Sequence, residues 1–383
     1  MRILYIQRGL APPPKDARLE QFSFLSDAIE GDVLLPVWWK TKGEAQEELG
    51  RDSYPVCTVR NFRYHLLLAG IESGFRQRLA MLLFYVRTGR SIYREKPFDC
   101  IVTVGHSLTA FAGVILKWLT SAKLILEING EPGRAYLFDT SLSAITRRAA
   151  AFLSVACLHF AAWCADRLRL LYPQQLSGYP LLRRVPVSVF HAFVPTSMVR
   201  PTEARERYVI FAGYPWYLKG VDILIRAFRI IAPEFPDVRL VLQGHFPDRT
   251  ELERLIGGCS QIEIHMPRTY RETLDAIAHA LIVALPTRTE GMGRVLVEAM
   301  AARRPCVASA VGGVPYYVRD EYNGLLVRTE DAGDLADKLR RLLTDSELRE
   351  RLAENAFEFA QRNFSEKAYV EHFVTMLSQT LGR

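Results

Sequence analysis

Pro286 to Val318 reads PTRTEGMGRVLVEAMAARRPCVASAVGGVPYYV, and Leu281–Leu285 just before it is an apolar run of strand composition. A polar loop follows that strand, Gly291-x-Gly293 supplies a tight turn, and a helix begins near Arg294. Strand, Gly-rich turn and helix leave free N–H groups at the helix start, which suits a pyrophosphate. The helix dipole adds about 0.3–1 kcal/mol for a surface anion and up to about 2 when the anion is partly buried. Two carboxylates bracket the turn, Glu290 in the loop and Glu298 inside the helix. Acceptor-only groups beside a phosphate site must face hydroxyls, and a ribose and a sugar ring supply them. Glu298 lies within VLVEAMA, where so apolar a surround obliges a charge to find a partner.

Strands and helices alternate on both sides of this segment. Upstream come Tyr208–Ala212 (YVIFA), a helix over Val221–Ala232, the strand Arg239–Leu242, a helix around Arg249–Ile256, the strand Gln261–His265 and a helix over Tyr270–Ala280; downstream, Cys306–Ser309 is a further strand. The first half repeats the scheme: strands at Ile3–Ile6, Val33–Val37, Cys100–Val104 and Leu124–Ile128, with the amphipathic Leu108–Leu119 between the last two. The order implies parallel pairing and two successive Rossmann-like α/β units. At 383 residues, two domains are the expectation: 1–194, a linker at 195–207 marked by Pro195 and Pro201, and 208–365. The helical tail breaks near Asn363–Ser365, where Ser365 can cap a last helix at 366–383 that packs back on the first domain.

Composition is globular, 49% apolar and 24% charged. MRILYI at the start has no signal-peptide pattern, and the six scattered cysteines form no C-x-x-C pair, which argues for a reducing cytosol and against a disulfide framework or zinc site. The formal net charge is +7. Much of the excess lies among Arg60, Arg63, Arg76, Arg78, Arg87, Arg90 and Arg94, mixed with Phe62, Tyr64, Phe75, Phe84, Tyr85 and Tyr93. That mixture suits either peripheral contact with an anionic membrane or a solvated helix face backed by buried aromatics. Ala149–Ala165 carries no formal charge; at 17 residues, with Ser154 and His159 inside, it reads as a buried helix rather than a span.

The Glu290–Glu298 segment resembles the donor-site signature of the retaining GT-B glycosyltransferases of family 4 (the glycosyl transferases group 1 type), in which two glutamates are separated by seven residues. EAMA, Pro305, Gly312-Gly313-Val314-Pro315 and Asn323-Gly324-Leu325-Leu326-Val327 continue the match. The resemblance implies a GT-B fold, with two Rossmann-like domains facing each other across a donor/acceptor cleft. It implies that Glu290 contacts the donor sugar, that Glu298 binds the nucleotide ribose, and that backbone at Gly291, Met292, Gly293, Arg294, Val295 and Leu296 holds sugar and phosphates. FAGYPWYLKGVDILIRAF (211–228) resembles the family's first C-domain strand and helix, which makes Lys219, six residues after Gly213, the phosphate-binding lysine. Its cation would meet charge developing on the leaving pyrophosphate. Tyr214 stands where the family carries arginine, leaving Arg288, Arg294 or Arg268 to compensate. LVLQGHFP places Gly244 in the family's next turn, with Arg268 and Thr269 beside the base. In the first half, His106 after CIVTV matches an acceptor-side histidine, Glu127, Asn129 and Gly130 would line the acceptor pocket, and Gly9 would approach the pyrophosphate.

The catalytic candidates are therefore His106, Lys219 and Glu290. No D-x-D triplet occurs, so neither a metal nor a cofactor is expected beyond the nucleotide-sugar donor as co-substrate. The expected activity is transfer of a hexose-type sugar, with retention, to a glycan or lipid-linked acceptor in polysaccharide or glycoconjugate synthesis. The expected location is cytoplasmic, on the inner face of the membrane if the basic first half binds lipid. Two rival enzymes are a nucleotide-sugar epimerase of similar fold and an NAD-dependent oxidoreductase. The second is opposed by ILYIQRGLAPPP, which has no G-x-G-x-x-G after the first strand. Nucleic-acid binding would rest on net charge alone.

Overall fold

RILYI is buried at all five positions, as a strand covered on both faces must be. It is β1 (Arg2–Ile6) of an eight-stranded sheet completed by β2 (Glu30–Trp38), β3 (Val56–Val59), β4 (Phe62–Ala69), β5 (Cys100–Val104), β6 (Lys123–Ile128), β7 (Arg167–Leu170) and β8 (Val187–Val189). The strands lie in the order β3-β4-β2-β1-β5-β6-β7-β8. Pairing is parallel throughout except at the β3–β4 hairpin. Helices α1 (Ala17–Leu25), α2 (Phe75–Glu95), α3 (Leu108–Leu119) and α4 (Ala144–Cys164) belong to this half of the chain. Leu4, Ile101, Leu124 and Leu126 of the sheet share a core with Phe84 and Tyr85 of α2, Leu116 of α3 and Leu158 of α4.

The second sheet is wholly parallel: β9 (Tyr208–Ala212), β10 (Arg239–Gln243), β11 (Ile262–His265), β12 (Ile282–Leu285), β13 (Cys306–Ser309) and β14 (Leu325–Val327), in the order β11-β10-β9-β12-β13-β14. Its helices are α5 (Val221–Ile231), α6 (Thr250–Ile256), α7 (Tyr270–His279), α8 (Arg294–Ala301), α9 (Ala332–Thr344) and α10 (Ser346–Asn363), followed by α11 (Glu366–Leu381). Ser365 Oγ accepts from the Ala368 N–H and caps α11. The computed structural model describes residues 1–8, 17–38, 56–69, 75–105, 107–140, 142–203, 205–244, 246, 249–266 and 269–383. They form two compact units, Met1–Gly133 with Phe152–His191 and Tyr369–Arg383, and Arg134–Ala151 with Ala192–Ala368.

Two expectations about the basic, aromatic first half need correction. Residues 56–69 form a hairpin, and its polar groups are used internally. Asp32, buried on β2, accepts from Arg63 Nε at 2.9 Å and sits 2.8 Å from His65 Nε2, with Arg2 as a further partner. Burial alone would push the Asp32 carboxyl up; His65, Arg2 and Arg63 outweigh it and hold the pKa below the ordinary value. Arg63 also reaches Glu95 and Arg60 reaches Asp27, while Phe62, Tyr64, Phe84 and Tyr85 are buried. Those aromatics are core residues, as the second of the two readings expects; the correction is that Phe62 and Tyr64 lie on a hairpin and not on a helix face. The second correction is α4, which is not a buried helix: Ser154, Leu158, Ala161 and Ala162 face inward, but Phe152, Leu153, Phe160 and Trp163 are exposed. Leu158 and the small Ala161 and Ala162 join the core, while Phe152, Leu153, Phe160 and Trp163 face out.

Candidate active site

In the second sheet the strand order reverses between β9 and β12, and open α/β sheets bind ligands outside the carboxyl ends of their strands at such a switch point. The loop after β9 carries Gly213 and Lys219; the loop after β12 runs from Pro286 to Gly293. Close backbone approach locks the two together. A Cβ at Gly220, where φ is +72°, would lie 1.9 Å from the Pro286 carbonyl oxygen. Arg288 N–H donates to Leu218 O at 2.9 Å, and Thr287 Oγ1 donates to the same carbonyl at 3.3 Å. Gly312, at φ +53°, packs so tightly on the Glu290 backbone that a Cβ would sit 2.0 Å from its carbonyl oxygen. The glycines of the GGVP turn thus hold Glu290 in place. Gly244 approaches the Gly213 carbonyl similarly, with 2.3 Å left for a Cβ.

Lys219 Nζ donates to Glu290 Oε2, and the other Glu290 oxygen accepts from the Gly291 N–H at 3.1 Å. The two catalytic candidates of this unit form one ion pair. Gly293, at φ +74°, begins α8, whose side chains at Val295 and Leu296 are buried, as is Met292 in the turn before it. These three can therefore meet a ligand only through backbone. Glu298 is 5% exposed and accepts from Tyr270 Oη at 2.7 Å, with Arg294 Nη2 at 3.6 Å. Burial, then the Glu298 charge, pushes the Tyr270 pKa up, so Tyr270 keeps its proton and donates it. Tyr270 was missed in the sequence because nothing in its spacing ties the start of one helix to the next; only the fold brings α7 against α8.

Of the three arginines weighed against Tyr214, Arg288 is excluded. It is buried, bidentate on Asp222 at 2.7 and 2.8 Å, bonded to Glu330, and stacked 4.0 Å over the Tyr217 ring. Burial opposes its charge, but Asp222 and Glu330 prevail and raise its pKa. It is a structural clamp joining the β9 and β12 loops. Arg294 stands at the start of α8, and its Nε is buried without a hydrogen-bond partner among the described residues. Arg268 lies outside the described residues, as do Gly9 and His106. Thr269 caps α7, its Oγ1 accepting from the Glu272 N–H at 3.1 Å.

In the first unit, Glu127, next to last in β6, is only 2% exposed. Its Oε2 accepts from Tyr5 Oη at 2.7 Å and lies 3.9 Å from Arg169 Nη1; its Oε1 is buried with no partner among the described residues. Arg169 also bonds Asn129 Oδ1 at 3.0 Å, and Gln175 Nε2 bonds the Gly130 carbonyl at 2.9 Å. Three of the four acceptor candidates, Glu127, Asn129 and Gly130, thus share one polar cluster with Arg169 and Gln175, neither of which the sequence singled out.

Residues 198–359 match the family model described as glycosyl transferases group 1. Alpha-D-kanosaminyltransferase of Streptomyces kanamyceticus is 36% identical over 167 residues, 41% of this chain and 43% of that protein. D-inositol 3-phosphate glycosyltransferase of Xylanimonas cellulosilytica is 36% identical over 187 residues, 45% of this chain and 44% of that protein. The chain thus spans less than half the length of these curated relatives. Among solved structures, sucrose-phosphate synthase from Thermosynechococcus elongatus superposes with a TM-score of 0.81 at 18% identity over the whole of both chains. An Anabaena protein in complex with UDP-glucose gives 0.70 at 16% identity, over 99% of this chain and 100% of that one. The chain therefore matches the glycosyl transferases group 1 family over residues 198–359, and its two α/β units have the GT-B fold.

Proposed function

We propose that this chain transfers a hexose-type sugar from a nucleoside diphosphate donor to a glycan or lipid-linked acceptor, with retention of anomeric configuration. The observation that carries this reading is the pairing at the switch point of the second sheet. Lys219 and Glu290, from loops 71 residues apart in sequence, meet in one ion pair where a family match also falls. The α8 start, with Arg294, follows at once along the second of those loops. Lys219, Arg294 and the α8 N-terminus supply positive charge for a departing pyrophosphate, and Glu290 and Glu298 supply acceptors for sugar and ribose hydroxyls. The names of the relatives support sugar transfer, and the UDP-glucose of the Anabaena complex supports a nucleotide-sugar donor.

In the proposed step the acceptor hydroxyl oxygen forms a bond to the anomeric carbon on the face from which the phosphate leaves. The C–O bond to the pyrophosphate breaks, its electron pair stays on the phosphate oxygen, and the acceptor proton passes to that oxygen. On donor binding Lys219 turns from Glu290 to the phosphates, which frees the Glu290 carboxylate for the sugar. Glu127, Asn129 and Gly130 stand on the acceptor side of this reading, with His106. The test is incubation with nucleotide sugars and a glycan or polyprenyl-phosphate-linked acceptor, reading the new linkage by NMR. An anomeric configuration equal to the donor's is expected, inversion would overturn the retaining step, and isomerised donor formed without acceptor would indicate an epimerase.

Tyr270 is a positioning residue in this reading. Tyr270→Phe is expected to weaken nucleoside diphosphate binding about three- to tenfold, because a single bond to a charged group is lost while Arg294 remains. Calorimetric titration checks it. Unchanged affinity would mean that the Tyr270–Glu298 bond serves packing alone.

A further inference from the structure

Helices α3 and α4 carry an outward apolar surface within the first unit. Trp163 is 83% exposed, Phe152 73% and Trp118 66%, with Leu153, Phe111 and Leu119 also exposed. Phe160 joins the two helices, its ring centroid 5.9 Å from Phe111 and 6.4 Å from Trp118. From residue 149 to residue 164, α4 has no charged side chain. A contiguous patch of this kind marks an interaction surface.

Helix α2 packs on α3 and adds charge of one sign. Arg76, Leu79, Leu83, Arg87, Arg90 and Arg94 recur three or four residues apart, so they share one face, and all six are exposed. Among the described residues no carboxylate pairs with any of these four arginines; Arg63 takes Glu95. Neighbouring apolar and basic surfaces, with tryptophans at the apolar part, are what a bilayer interface binds.

We propose that this face docks on an anionic lipid bilayer, Trp118, Phe152 and Trp163 entering the headgroup region while the α2 arginines contact lipid phosphates. No described helix is long and apolar enough to cross a membrane, so the contact is interfacial. A second copy of the chain is a poorer occupant, because a symmetric contact would bring two equally basic faces together without an acid to offset them. The proposal rests on α2, α3 and α4 alone and stands or falls independently of the donor-site reading.

The test is co-sedimentation of the full chain with vesicles of phosphatidylcholine alone and of phosphatidylcholine mixed with phosphatidylglycerol. The chain is expected to bind the mixed vesicles and to be released by salt, as screened charge requires. Arg87→Gln with Arg90→Gln should lower partitioning about 25-fold, about fivefold per arginine. Trp163→Glu should lower it by at least about tenfold, with the thermal melt unchanged because that side chain packs on nothing it must leave. Nucleoside diphosphate affinity, read in parallel, should not move in any of these variants. Wild type that ignores both vesicles, or variants that bind as wild type does, would overturn the proposal. So would a solution dimer that Trp163→Glu dissolves while vesicles stay unbound, since that face would then belong to a second copy.

Discussion

Glu298→Ala is expected to lower nucleoside diphosphate affinity about ten- to 150-fold, the loss of one charged hydrogen bond to ribose at roughly 1.5–3 kcal/mol. The size follows from where the carboxylate sits. Glu298 is buried in α8, and its described partners, Tyr270 and Arg294, both meet Oε1. Oε2 is thereby left for a ligand hydroxyl. In so sheltered a place water competes weakly, and the lost bond is felt nearly in full. Calorimetry with UDP, GDP, ADP and NAD, on wild type and variant, reads the effect and identifies the base. Thermal denaturation run alongside separates it from instability, and Glu298→Gln, which keeps the shape and one acceptor, should lose less. If no nucleotide binds wild type, or the alanine variant binds as well, the donor-site assignment fails. Binding of NAD alone would favour the oxidoreductase.

Lys219→Ala should act on turnover more than on binding. Removing one preorganised positive group from a site where charge develops costs on the order of 10²–10³ in kcat. In the ground state the donor pyrophosphate still has Arg294 and the α8 N-terminus, so KM should rise only a few-fold. Removing the cation also leaves Glu290 with the Gly291 N–H but without its paired charge, next to incoming phosphates. Glu290→Gln, which removes the carboxylate but keeps Lys219, distinguishes the two effects. Initial-rate kinetics with a labelled donor provide the readout. A kcat within threefold of wild type would mean that Lys219 merely pairs with Glu290.

Much of this site was legible before any coordinates. YVIFA, RLVL and the Gly291-x-Gly293 turn carry local signals, apolar runs and glycines, that need no tertiary context. The spacing from Glu290 to Glu298, together with the position of Lys219, resembles a known signature. Arg288 shows where such reading stops. On sequence it was as good a phosphate ligand as Arg294, yet Asp222 and Glu330, 66 and 42 residues away, together with the Tyr217 carbonyl, take its donors. Charge in a sequence is visible, and its neutralisation by a distant residue is not. Phe62 and Tyr64 make the same point, since a basic, aromatic composition is shared by a membrane-facing helix and by a hairpin whose rings are core.

The sequence by itself determined the fold class and the residue types at the donor loops, because parallel α/β units are written in local periodicity and in glycines that no other residue can replace. The tertiary structure alone decided which partners those residues have and which apolar face is wet. In α4 both faces are apolar, so no periodicity distinguishes them. The core closes on one side only: Leu158, Ala161 and Ala162 join it, with Ser154 buried beside them, and Phe152 and Trp163 were left to solvent.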